Sequence, residues 1–312
     1  MAAEPGPARI TRELVFAAFA GPSTEADDPH LLDRLTAGLV VERVKPGHVL
    51  FHEGDESVQV HFMSEGRMRL SSPGQPDWVY EGRWVVGTTD VLVGRRRSRT
   101  AVMETDAQLF QLPSDRWFEV MDHRPDVLLN AIFGFARGVA TLYDRLEPDG
   151  GFLVPGPTPA IDVSSLSARA GLLASAPLLR GVPMQSLVEL AALAECRDLE
   201  PDEVVFAAGA APERVFVVTR GRIEGHRVEP DVRAVFAAGA IVCGAVCLGD
   251  PRSVWSARAL DRAQVLSIST MDLFDHVEEH QDGLRAMMGA FALERERVCD
   301  VLAARLGELV LR

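Results

Sequence analysis

Arg95, Arg96, Arg97 and Arg99, with Ser98 among them, form the most concentrated basic group in the chain. A guanidinium presents a planar fork of N–H donors that matches carboxylate and phosphate oxygens. The run therefore reads in two ways: as an anion pocket for a phosphate-rich ligand, or as a solvated basic loop paired with the chain's surplus carboxylates. A weaker echo, Asp250-Pro251-Arg252-Ser253, carries the same two readings, a local ion pair of Arg252 with Asp250 being the plainer. Other reactive groups are thin. His276 and His280 lie four residues apart with Glu278 and Glu279 between them, and His52-Glu53 stands alone. Neither sits in a metal-ligand or acid–base motif, so surface polarity accounts for both. Cys196, Cys243, Cys247 and Cys299 form no CxxC pair. They read as thiols rather than as a zinc site or disulfide framework. Ser64-Glu65-Gly66 makes no nucleophile elbow, and no phosphate-binding P-loop is present. An enzyme built on a small β-barrel would need clustered histidines and carboxylates facing inward, which the strands lack, so no enzymatic activity is expected.

The elements that position these residues come twice. Val49-Leu50-Phe51-His52-Glu53-Gly54 returns as Val204-Val205-Phe206-Ala207-Ala208-Gly209, and Ser64-Glu65-Gly66-Arg67 returns as Thr219-Arg220-Gly221-Arg222. Both give one register, since 206 − 51 and 221 − 66 are each 155. A period this long exceeds solenoid repeats and implies two copies of a whole domain. At 312 residues the chain is long enough for two domains with their own cores. The expected boundaries are 1–146 for the first, 147–163 for a Pro/Gly-rich linker, and 164–312 for the second, which ends in a long helix.

Within each copy, short Val-, Phe- and Ile-rich runs alternate with Gly, Pro, Asp and Ser, the pattern of an antiparallel barrel or sandwich. Strands are expected at 48–52, 59–64, 66–71, 77–80, 99–104 and 107–112. In the second copy they are expected at 203–207, 214–218, 221–228, 232–236, 254–259 and 262–268. Helices should precede each barrel, at 29–39 and 184–196, and close it, at 115–121 with 127–146 and at 271–277 with 283–311. The fold class is mainly β with flanking helices.

The order Lys45-Pro46-Gly47, His52-Glu53-Gly54-Asp55, Ser64-Glu65-Gly66-Arg67 resembles the cyclic nucleotide-binding domain family, which includes cAMP receptor proteins and the regulatory subunits of cAMP-dependent kinase. The resemblance covers roughly 14–146 and 168–312 and implies two tandem jelly-roll (double-stranded β-helix) barrels. It also implies a phosphate-binding cassette, in which a turn, a short helix and one arginine hold a cyclic phosphate. In the first copy the cassette maps to Gly87, Thr88, Thr89, Arg97 and Ser98; in the second, more weakly, to Gly244, Ala245, Arg252 and Ser253. Thr88 and Ala245 stand where the family carries the glutamate that grips the ribose. Losing a hydrogen bond to a charged group costs roughly 1.5–3 kcal/mol, or about one to two orders of magnitude in affinity.

The net charge of −13 disfavours nucleic acid, which is bound by clustered Lys and Arg. No helix-turn-helix follows the second copy, so no direct DNA binding is expected. No apolar run reaches the ~18 residues of a membrane span, and Met1 to Gly6 lack a signal-peptide start, which places the chain in the cytoplasm. The terminal stripe Leu284, Met287, Met288, Phe291, Val298, Leu302, Leu306 and Leu309 suits packing within the chain or against a second copy. The reading is a non-enzymatic regulatory or scaffold protein that acts through a protein partner or homo-oligomer. It needs no cofactor; a cyclic nucleotide (cAMP, cGMP or a cyclic dinucleotide) in the first domain is the alternative.

Overall fold

The computed structural model describes residues 39–122, 125–143, 145, 159–210, 213–229, 231–244, 248, 254–278 and 281–312. The expected helix at 29–39 and the linker at 147–158 lie outside the described residues. In chain order the first copy runs β1 (Val40–Val44), β2 (Val49–Phe51), β3 (Gln59–Glu65), β4 (Arg67–Ser72), β5 (Gln75–Glu81) and β6 (Trp84–Val86). A short helix α1 (Thr88–Leu92) follows, then β7 (Thr100–Met103), β8 (Ala107–Pro113), α2 (Ser114–Asp122) and α3 (Pro125–Tyr143). The second copy has α4 (Leu166–Ser175), a 3-10 turn (Pro177–Leu179) and α5 (Met184–Leu193) ahead of its strands. These are β9 (Glu195–Leu199), β10 (Val204–Phe206), β11 (Arg214–Arg220), β12 (Ile223–Arg227), β13 (Val232–Phe236), β14 (Trp255–Ala259) and β15 (Ala263–Ser269). The chain closes with α6 (Thr270–Glu278), α7 (Gln281–Leu306) and β16 (Glu308–Leu311).

Two compact units result, one of Met1–Gly134 with Ala292–Arg312, the other of Phe135–Phe291. In the first, the sheets are ordered β1-β8-β3-β6 and β16-β5-β4-β7-β2. All pairs are antiparallel except β16 with β5. Val60, Phe62, Met63, Leu109 and Phe110 are fully buried, on both faces of the β3–β8 ladder, as are Met68 of β4 and Val79 of β5. The second unit repeats the plan with β11-β15-β9 and β10-β14-β12-β13, an isolated bridge Val217–Ile241 standing where the first copy has β6. The expected mainly-β tandem jelly roll is what the chain forms.

Three departures have physical causes. Strands β1 and β9 escaped the sequence pattern because both are edge strands, each paired on one side only to β8 or β15, and largely solvent-facing. An edge strand need not show apolar alternation. The helix expected at 184–196 stops at Leu193 for β9 to begin at Glu195. The terminal helix, expected to reach 311, ends at Leu306. Gly307 adopts φ +79°, a left-handed residue that ends helices. Glu308-Leu309-Val310-Leu311 then extends as β16 with Leu309 and Leu311 buried on alternate positions.

The repeat-matched glycines Gly66 and Gly221 do the same work in both units. Each has a left-handed φ, +111° and +78°, at the β3–β4 and β11–β12 turns. A Cβ on Gly66 would sit 2.9 Å from the Asp106 carbonyl oxygen, and one on Gly221 2.7 Å from that of Arg262. Gly74, with φ +75°, has open space around it. Gly66→Ala and Gly221→Ala are expected to cost roughly 2–4 kcal/mol, from strain plus backbone clash, against about 1 kcal/mol for Gly74→Ala. Urea unfolding of the three variants checks this; equal losses would remove the close-approach argument.

Candidate functional site

The first cassette hangs between β6 and β7. Gly87, left-handed at φ +81°, turns the chain into α1, and Gly94, at φ +64°, turns it out again toward the arginines. Thr88 and Thr89 form the first turn of α1 and are half-buried. Asp90, one residue further on, is buried. Its carboxylate accepts from Arg95 Nε at 2.7 Å and from the backbone N–H of Ser98 at 3.3 Å. The cassette thus ties itself together around an internal carboxylate.

Arg97 is 3% exposed. Its Nη1 donates to the Gly87 carbonyl at 2.9 Å, its Nη2 to the Gln59 carbonyl, and its guanidinium lies 4.3 Å from the centre of the Phe51 ring. Gly87 is required twice over here, for its φ and because a Cβ would collide with Arg97 Nη1. The Arg97 backbone is pinned as well, its N–H donating to the Asp55 carbonyl at 2.8 Å and its carbonyl accepting from the Gly54 N–H at 2.8 Å. The Gly54-Asp55 turn recognised in the sequence is therefore the floor of the cassette. Burial pulls the Arg97 guanidinium below its usual range, with Asp90 and Asp55 opposing. His61 also packs against Phe51, ring centroids 5.7 Å apart. Burial, with Arg97 adding to it, lowers His61 from 6.5 to about 3, so its imidazole is neutral.

The rest of the arginine run divides. Arg96 is exposed and donates to the Gly54 carbonyl at 2.8 Å. Arg95 holds Asp90 and both oxygens of Glu296, each at 2.6 Å. Arg99, 2% exposed, lies 3.9 Å from the centre of the Trp78 ring and donates to Pro76 O, Gln75 Oε1 and Asp300 Oδ1 at 2.9, 2.9 and 2.7 Å. Arg95 and Arg99 do pair with carboxylates, as the loop reading has it, but Arg99 does so buried rather than solvated, and buried Arg97 bonds backbone carbonyls instead. Ser98 joins the same group, its Oγ 3.4 Å from Glu296 Oε1. Asp90, Glu296 and Asp300 went unrecognised in the sequence. The signal available was the one-turn spacing of Glu296 and Asp300, which puts both on one helix face.

The second cassette differs in chemistry. Gly244 follows Cys243, whose φ is +52°; Ala245, Arg252 and Ser253 lie outside the described residues. A cavity of about 470 Å³ borders Gly244, lined mainly by Val205, Phe206, Phe216, Ile241 and Leu248. The two arginines at its wall are engaged, Arg214 with Ser267 and Glu195 and Arg197 with Glu203. Gly225 of β12 is crowded by Cys243 Sγ at 2.8 Å and Phe236 at 2.9 Å from a Cβ position, so this interior is filled by apolar side chains. Among the described residues no group of three or more His, Cys, Asp or Glu could hold a metal ion, and no helix is long and apolar enough to cross a membrane.

The profile of the cyclic nucleotide-binding domain matches residues 41–124 and 196–280. The chain therefore belongs to the cyclic nucleotide-binding domain family, with two tandem copies. Among curated proteins it is 25% identical over 161 residues to lysophospholipase NTE1 of Chaetomium globosum, covering 50% of this chain and 11% of that protein. It is 26% identical over 161 residues to patatin-like phospholipase domain-containing protein 7 of Rattus norvegicus, covering 46% of this chain and 11% of that protein. The chain thus spans about a tenth of these relatives. Similar solved structures include cAMP-bound PfPKA-R, at 12% identity and TM-score 0.38, covering 87% of this chain and 83% of that one. The regulatory domain of Toxoplasma gondii PKA with cAMP is similar at 13% identity and TM-score 0.34, covering 85% and 90%.

Two outcomes test this geometry. Arg97→Ala should destabilise the chain by roughly 3 kcal/mol, because two charge-assisted hydrogen bonds to backbone carbonyls go. Arg97→Lys should recover less than half, since one ammonium cannot replace the fork. Urea midpoints measure both; an Arg97→Ala chain as stable as wild type would refute the lock. His61 is neutral in the fold and protonatable above pH 6 when unfolded. Its contribution is complete above pH 6.5 and lost as pH falls toward 3, at up to about 1.4 kcal/mol per pH unit. The stability difference between wild type and His61→Leu, followed from pH 7.5 to 5, should shrink accordingly; a constant difference would contradict a buried neutral imidazole.

Proposed function

We propose that the chain is a non-enzymatic regulatory or scaffold protein, built from two divergent cyclic-nucleotide-binding domains and acting in the cytoplasm through protein partners or self-assembly. The observation that carries this reading is the saturation of the first cassette by the chain's own groups. Arg97 is spent on Gly87 and Gln59, the Ser98 N–H on Asp90, and Arg95 on Asp90 and Glu296. A cyclic phosphate would have to displace a buried carboxylate, and the ribose would meet Thr88 in place of the family's glutamate. The second cavity, walled mainly by apolar side chains, has engaged arginines and offers an anion no better reception. Partner action is what a ligand-independent barrel pair leaves. The phospholipase activity in the relatives' names concerns proteins of which this chain matches about a tenth.

A second reading, a nucleotide sensor working through Gly87, Thr88, Thr89, Arg97 and Ser98, is favoured by one observation: Arg97 Nε is buried with no acceptor among the described residues. Thermal unfolding in the presence of cAMP, cGMP and cyclic dinucleotides separates the two. The regulatory reading expects no saturable shift. A ligand present at about a hundred times its Kd would add roughly 2.7 kcal/mol, a shift of several degrees. Such a shift, absent in a folded Arg97→Lys variant, would replace the first reading with the second.

A further inference from the structure

The last segment, Ala292–Arg312, is part of the first unit although some 200 residues of chain separate it from the cassette. Three of its carboxylates meet four arginines of the barrel, Arg67 reaching Glu308 at 3.4 Å beside the closer pairs. Glu296 holds Arg95 and Ser98, Asp300 holds Arg99 at 2.7 Å, and Glu308 holds Arg69 at 2.6 Å. Glu296 and Asp300 stand about one helical turn apart, about 6 Å along α7. The segment is fastened by β16, which lies parallel against the edge of β5 in the register Glu308 to Asp77 through Leu311 to Tyr80. Without it β5 would be an open edge.

The pairing is lopsided. Arg99 is sealed in the barrel, whereas the side chain of its partner Asp300 is 45% exposed. Burial raises the Asp300 carboxyl above its usual range against the pull of Arg99. Beneath the segment lies an excess of donors. If Glu296 and Asp300 left, Arg95 would keep only Asp90 among its carboxylates and Arg99 only neutral oxygens. Buried Arg97 already has an Nε, and His61 an Nδ1, with no acceptor among the described residues. Carboxylates and phosphates satisfy such forks interchangeably.

We propose that Ala292–Arg312 is an intrachain latch. Its Glu296 and Asp300 stand in for an oxyanion over Arg95, Ser98 and Arg99, and its release opens that face to a ligand with two anionic groups about one helix turn apart, of the diphosphate class. Gly307, left-handed between α7 and β16, is the joint at which strand and helix can part separately. The latch rests on the reading of the first cassette as internally saturated. It adds that the saturation is removable and that the groups it frees are Arg95 and Arg99 rather than Arg97.

The test uses the full chain and inorganic pyrophosphate as probe, with titration calorimetry on wild type and on Glu296→Gln/Asp300→Asn. The double variant should bind pyrophosphate roughly tenfold or more tightly than wild type, and adding Arg95→Gln should abolish the gain. Equal binding by wild type and a cooperatively folded double variant, or none by either, would overturn the latch. Should the variant not fold, hydrogen exchange on wild type decides. The amides of β16 should open below the global barrier and exchange faster when pyrophosphate is added. Protection equal to that of β4, unmoved by the probe, would overturn it. A parallel titration of wild type with cAMP keeps the two failures apart: binding there would undo the saturated cassette and the latch that rests on it, whereas failure of the pyrophosphate arm alone overturns only the latch.

Discussion

Everything at the first cassette depends on where one buried guanidinium spends its donors. Arg97 bridges the carbonyls of Gly87 and Gln59 across the face of Phe51. It thereby joins the turn before α1 to the start of β3, and its own backbone joins both to the Gly54-Asp55 turn. Burying a cation is costly unless its hydrogen bonds are made, and here they are made to backbone. An arginine used in this way is a strut. The positive-φ glycine beneath it and the neutral histidine beside it follow from that use, since neither a Cβ nor a second cation could share the space.

The flanking arginines extend the same economy to the end of the chain. Arg95 and Arg99 draw in Glu296 and Asp300, while Arg67 and Arg69 share Glu104 and reach Glu308. Burial works against the Glu104 carboxylate, yet Arg67 and Arg69 hold it below its usual range. A net charge of −13 thus coexists with a strongly basic strip, because acidic residues distant in sequence cover it. The second unit solves its interior differently, with Gly225, Cys243, Phe236 and Trp255 in close contact, and its buried Glu224 is neutralised by Arg258 and Arg233. Two copies of one fold have diverged into a charged and an apolar solution.

Much of the barrel was legible beforehand. The repeat register of 155 residues placed Gly66 and Gly221 at equivalent turns, and β-rich runs located most strands because those strands bury apolar side chains. Strands β1 and β9 were invisible for the opposite reason, being one-sided and wet. The end of α7 was readable at Gly307, but a heptad-like stripe running on through Leu309 outweighed a single glycine.

The sequence by itself determined the family, the tandem jelly-roll plan, the glycines that turn its strands and the arginine at position 97, because these are written in local spacing and composition. Only the tertiary structure decided what the arginines hold. Asp90 is five residues from its partner Arg95, but Glu296 and Asp300 are each 201 residues from their partners, Arg95 and Arg99. An ion pair is chosen by distance in space and by which groups are taken out of water together, and neither quantity has any period along the chain.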